Sequence, residues 1–153
     1  MSGGIESMYR RVLIPVDGSD CSQAALEHGL GLAHEQQAEV RLIHVVDTRS
    51  LYTFENMNVE PVETAWRQAG QEILDRAEAH ARRVGVAAVT VSLIETVGRG
   101  VAGVIVAECE HWPADLIVMG THGRHGIERA LLGSVAEGVV RASPVPVLLI
   151  RRH

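Results

Sequence analysis

Two hydrophobic periods take turns along this chain. Short apolar runs recur at Arg11-Val-Leu-Ile-Pro-Val-Asp17, Val40-Arg-Leu-Ile-His-Val-Val46, Ala88-Val-Thr-Val-Ser-Leu-Ile-Glu95, Asp115-Leu-Ile-Val-Met119 and Pro144-Val-Pro-Val-Leu-Leu-Ile150. Runs of this length, rich in β-branched residues and bounded by turn formers, predict buried strands. Between them the spacing becomes helical. Ala25, Leu26, Gly29, Leu32 and Ala33 mark a helix over 22–35. Ile73, Leu74, Ala77 and Ala81 mark a longer one over about 62–84, which Gly85 terminates. Residues 101–110 and 134–142 complete the set, and the polar, aperiodic residues 47–60 read as a loop.

The resulting order is βαβαβαβαβ, with neither a repeat nor a linker, so 1–153 reads as a single domain with 1–8 as a flexible tail. Strands that alternate with helices imply a parallel sheet covered on both faces, a doubly wound α/β fold. Ligands in such sheets lie beyond the carboxyl ends of the strands, where strand order reverses. In the order 3-2-1-4-5 that point falls between the first and fourth strands. Asp17 would then face Gly120 and Gly123 across a crevice, and this convergence favours 3-2-1-4-5 over 2-1-3-4-5. The same order leaves the fifth strand at an edge. Its apolar residues have no gatekeeping charge before Arg151, so pairing with a second copy through 146–150 is expected to cover it.

The stretch from Val118 to Ser134 carries the chemistry. It leaves a strand, runs through Gly120, Gly123, Gly126 and Gly133, and feeds a helix amino terminus. Glycines let a ligand approach the backbone, and the first amides of the helix lack intrahelical partners, so the segment suits a phosphate. Ser134 could bond a phosphate oxygen or serve the first helical turn. Arg124 and Arg129 could meet phosphate charge or remain solvated. His122 and His125 could donate to phosphates, and no Cys or acidic partner stands at a metal-ligand spacing. Asp17 could contact a ribose or base, hold Mg2+ through water, or cap its own turn. Val45 and Met119 could pack on a base or belong to the core. Gly98-Arg-Gly-Val-Ala-Gly103 fits Gly-x-Gly-x-x-Gly, but it follows the third strand, where a turn and helix start explain it.

Composition narrows the choice. All 14 cationic side chains are arginine, so a Gly-x-x-x-x-Gly-Lys phosphate loop and lysine Schiff-base chemistry are both excluded. A formal net charge of −5 argues against general nucleic-acid binding. No apolar run is long enough for membrane insertion, and the amino terminus lacks signal-peptide character. Cys21 and Cys109 form neither a framework nor a paired metal motif, which suits reduced thiols in the cytoplasm. With no carboxylate pair or evident base for phosphoryl transfer, a binding module is expected rather than a dedicated enzyme. A slow Mg2+-dependent ATPase or nucleotide hydrolase is the alternative.

Val12-Leu-Ile-Pro-Val-Asp-Gly-Ser19, His44-Val-Val46, Asp115–Arg124 and Leu131-Leu-Gly-Ser-Val-Ala-Glu137 together resemble the universal stress proteins over nearly the whole chain. Gly120, Gly123, Gly133 and Ser134 are similar to the Gly-x2-Gly-x9-Gly-Ser/Thr pattern of the ATP-binding subgroup, at full spacing. The resemblance implies the 3-2-1-4-5 sheet, a homodimer and an ATP or AMP site in a stress-response and signalling protein. It implies that Pro15, Val16 and Asp17 line the base and ribose and that Val45 touches adenine. Met119, Gly120, Gly123, Arg124, Gly133, Ser134 and Val135 would hold the ribose and phosphates. Gly138 departs from the family, where a long side chain is common.

Overall fold

The computed structural model describes residues 6–53, 57–123 and 132–152. The five strands are β1 (Arg11–Pro15), β2 (Glu39–Asp47), β3 (Val89–Thr96), β4 (Leu116–Gly120) and β5 (Val147–Ile150). They form one parallel sheet in the order β3-β2-β1-β4-β5. The helices are α1 (Asp20–Gln36), α2 (Glu60–Val84), α3 (Val101–His111) and α4 (Ser134–Ala142). The expected doubly wound fold and strand order are therefore observed.

The sheet's two faces bury separate apolar clusters. Val12, Ile14, Leu42 and Val118 point to one side, against Leu26 and Leu30 of α1 and Ile73, Leu74 and Ala77 of α2. Leu13, Ile43, Ile117 and Met119 point to the other, against Ile105 and Cys109 of α3 and Ala136 and Val139 of α4. This two-sided burial explains why the central strands read as unbroken apolar runs rather than alternating ones. The edge strands differ: every residue of β5 is half-buried.

The boundaries follow local chemistry. Ser19 caps α1, its side chain accepting from the Ser22 amide at 3.1 Å. Gly85 ends α2 at φ 95°, a left-handed conformation that glycine adopts without a Cβ penalty. Residues 47–60 are not all loop, because Arg49–Thr53 forms a short 3-10 helix and α2 begins at Glu60 with Pro61 in its first turn. β5 begins at Val147, one residue inside the expected 146–150. The Pro146 carbonyl accepts from the Ile117 amide at 3.1 Å, so pairing with β4 opens on that acceptor, and the proline, which has no N–H to give, stands just before the strand. Gly138 also gains a reason: a Cβ there would come within 2.7 Å of the Ala102 methyl. It lets α4 lie close to α3.

Candidate functional site

Beyond the carboxyl ends of β1 and β4 lies a cavity of about 540 Å³. Its walls come from the β1–α1 turn, the ends of β2 and β4, the start of α4, and the facing sides of α2 and α3.

The β1–α1 turn is held by its own polar groups. Gly18 takes φ 82° and lets the chain reverse immediately after Asp17. The Asp17 Oδ1 accepts from the Ser19 amide at 2.8 Å, and the Asp17 amide donates to Ser22 Oγ at 3.1 Å. Asp17 thus caps its turn, yet it still lines the cavity. Of the roles the sequence offered, the turn cap is the one observed, and the same carboxylate borders the cavity.

The glycine-rich segment closes on the opposite wall. Thr121 donates its amide to the Ile150 carbonyl at 3.1 Å, and Gly133 donates to the Thr121 carbonyl at 2.7 Å. These bonds hold the end of β4 beside the start of α4. A Cβ on Gly123 would sit 2.7 Å from Asp17 Oδ2, so only glycine brings this backbone so near the carboxylate. Gly120 lacks a Cβ for another reason. Its Cβ would meet Cys21 Sγ at 2.9 Å and the Cys21 backbone at 3.0 Å, so Gly120 packs on the start of α1 rather than facing Asp17. Gly133 occupies the N-cap of α4, where it has no side chain to cap the helix, and Ser134 is the first helical residue. The first amides of α4 therefore open toward the cavity wall formed by Gly133, Ser134 and Val135.

Pro15, Val16, Asp17, Val45, Met119, Gly120, His122, Gly123, Gly133, Ser134 and Val135 all line this one cavity. His122 sits with Nδ1 3.2 Å from Thr121 Oγ1. Arg124, expected at the phosphates, lies outside the described residues, as do His125 and Arg129. Gly98–Gly103 serves a turn and helix start: Gly100 is the N-cap of α3.

Sequence reasoning missed the walls supplied by helices. Trp66 and Ala69 from α2 and Val101 and Ile105 from α3 border the cavity, as do His44 and Asp47 of β2. The signal for Trp66 was present, since it stands four residues before Gly70 on the stripe that continues through Ile73, Leu74, Ala77 and Ala81.

Two acidic groups near the cavity are shifted. Burial raises the Asp47 carboxyl, but hydrogen bonds from Arg49 outweigh it and hold Asp47 below the usual carboxylate range. Arg49 Nε lies 3.0 and 2.9 Å from the two Asp47 oxygens. Burial likewise raises the Cys21 thiol, while hydrogen bonding at the His122 and Thr121 backbone and the Thr121 hydroxyl brings it below its ordinary value. Among the described residues no group of three His, Cys, Asp or Glu could hold a metal ion. Also among them, no helix is long and apolar enough to cross a membrane.

The arrangement suits an elongated ligand with an anionic end. Uncapped helix amides and close-approach glycines form one end, and apolar side chains from β2, α2 and α3 form the other. Fold and cavity together define a class, the doubly wound α/β proteins with a glycine-rich strand–helix loop at the switch point of the sheet.

Within that class the chain belongs to the universal stress protein family, whose profile matches residues 8–151. Universal stress protein MJ0531 of Methanocaldococcus jannaschii is 39% identical over 154 residues, covering 96% of this chain and 85% of the relative. Among solved structures, hypothetical protein MJ0577, the subject of a structure-based assignment of biochemical function, is 29% identical with a TM-score of 0.81. The match covers 95% of this chain and 98% of that one. A universal stress protein from Archaeoglobus fulgidus in complex with dAMP shares the fold, with a TM-score of 0.66 at 23% identity over 93% of this chain and 98% of its own.

Proposed function

We propose that this protein binds an adenine nucleotide, ATP or AMP, and works as a stress-response and signalling module of the cytoplasm rather than as a dedicated enzyme. The observation that carries the reading is the meeting of Gly123 with the Asp17 carboxylate beside the uncapped amino terminus of α4, around one cavity. A phosphate at α4 would satisfy first-turn amides that the N-cap residue Gly133, with no side chain, leaves uncapped. Asp17, already fixed by Ser19, would accept from ribose hydroxyls without further ordering. A Mg2+ ion would arrive on the phosphate oxygens, with the Asp17 carboxylate, which lines the cavity, beside it. Pro15, Val16, Val45 and Met119 supply apolar surface for the nucleoside.

In this reading the protein is a homodimer joined along β5. That strand is at the sheet's edge, and all four of its residues keep part of their apolar surface exposed. Antiparallel pairing with a second copy would cover it.

The first test is chemical. Acid extraction of the purified protein should release an adenine nucleotide, identified by chromatography and mass spectrometry. A protein that releases none, and that binds neither AMP nor ATP when they are added, contradicts the proposal.

A further inference from the structure

The family resemblance and the glycine pattern leave the α2 wall of the cavity without a role. That wall is built with some care. The buried stripe of α2 runs through Gly70, Ile73, Leu74, Ala77 and Ala81. A Cβ on Gly70 would come within 2.5 Å of His44 Cδ2 and 2.9 Å of Leu93 Cδ1, so the glycine lets α2 press on the ends of β2 and β3. His44 is itself fixed, its Nδ1 2.7 Å from the Val16 carbonyl. Trp66 continues the same stripe one turn earlier, about 6 Å further along the helix axis. Helical side chains lean toward the amino terminus, and the amino terminus of α2 lies at the carboxyl end of the sheet. The indole therefore overhangs the cavity instead of packing on the sheet. It borders the cavity and remains 37% exposed, in a chain with only 3% aromatic residues.

We propose that the Trp66 indole is the surface on which the ligand's flat heterocyclic base stacks, with Val45 and Ala69 beside it. This inference rests on the nucleotide reading and adds to it the residue that selects a base-bearing ligand over a bare sugar phosphate. The base lies at the β2–α2 end and the phosphates at α4, which fixes the ligand's direction in the cavity. Aromatic rings are tolerant stacking partners because every base has a π face, so Trp66 selects for a base without choosing which one.

The second tryptophan makes the test clean. Trp112 follows α3 at the other end of the sheet, with the guanidinium carbons of Arg11 and Arg41 at 5.7 and 6.0 Å from its ring centroid. In a Trp112→Phe variant, Trp66 is the sole indole. AMP should change its emission, while ribose 5-phosphate, carried to millimolar concentration, should leave it unchanged. In Trp66→Phe, where only Trp112 emits, AMP should produce no change. Trp66→Ala should weaken AMP binding, measured by calorimetry, by about 5-fold or more, on the scale of one base–aromatic stack. AMP binding to the wild type with no change in Trp66 emission and no loss in Trp66→Ala overturns the inference and spares the nucleotide reading. So does an emission change with ribose 5-phosphate that equals the one with AMP. A wild type that binds no AMP overturns both.

Discussion

The two ends of this sheet are made from the same strands and do opposite things. At the amino ends, polar groups are closed upon one another. The Asp115 carboxylate accepts from the Arg10 and Arg11 amides at 2.8 and 3.1 Å and ties β4 to β1. Arg11 pairs with Glu39 at 3.1 Å, and Arg41 approaches Glu108 at 2.7 Å with both side chains mostly buried. The Arg41–Glu108 contact lies off the hydrogen-bond axis, so it acts as an ion pair rather than a directed bond. At the carboxyl ends, glycines replace side chains, α4 begins without a side-chain cap, and a cavity opens between β1 and β4. In the nucleotide reading proposed above, the sheet separates two tasks along the strand axis, closure at one end and recognition at the other.

The sharpest way to break the contrast is at Gly133. Its Cβ would lie 3.1 Å from the Thr121 carbonyl and 3.4 Å from His122 Cα. A valine there pushes against the backbone of the glycine segment and so reaches the phosphate end indirectly, by parting α4 from β4. Gly133→Val should reduce AMP affinity below calorimetric detection, with the far-ultraviolet circular dichroism of the fold retained. Unchanged affinity would remove this segment from the site.

Assembly gives the next largest effect. Leu148→Arg places a charge in β5 and removes packing against the α1–α2 cluster. The proposed dimer should weaken by about 10-fold or more, read by light scattering across a dilution series, since a buried unpaired charge is costly. A wild-type monomer at micromolar concentration would end the dimer proposal.

The closed end should respond in the opposite currency, stability without affinity. Asp115→Ala strands two backbone amides and should cost about 1–3 kcal/mol in urea unfolding. AMP affinity should stay within twofold of the wild type. A large loss of affinity would show that the two ends are not separable.

These differences mark what the sequence made legible. The helices followed from the apolar spacing between the strands, and the strand order from Asp17 with Gly120 and Gly123, because a parallel sheet has few ways to bring a first-strand carboxylate to a fourth-strand loop. The roles of individual glycines did not follow. Gly120 and Gly123 look alike in sequence, yet one makes room for Cys21 and the other for Asp17. That distinction depends on where α1 starts in space. Trp66 was also passed over. Read as a helix, its position is the continuation of a core stripe, and only the length of α2 beyond the sheet puts it over a cavity. The 3-10 helix Arg49–Thr53 was invisible because it is fixed by the Asp47–Arg49 pair rather than by periodicity.

That pair gives the smallest effect. Asp47 is held below its usual range by Arg49, so its stabilising contribution is present at neutral pH and is lost as pH falls through the lowered titration. Arg49→Gln should let Asp47 titrate at higher pH, seen by NMR of its carboxyl carbon. The stability change at neutral pH should be small, because Arg49 is exposed and solvent screens the pair. The difference between variant and wild type should vanish at acid pH.

The measurement that bears most directly on the account is a calorimetric titration of AMP and of ATP into the nucleotide-stripped protein, run alongside Gly133→Val and Asp115→Ala. Saturable binding of one nucleotide per chain is predicted, retained in Asp115→Ala and lost in Gly133→Val. Absence of binding at millimolar nucleotide, or binding that Gly133→Val leaves intact, would contradict the placement of recognition at the carboxyl end of the sheet.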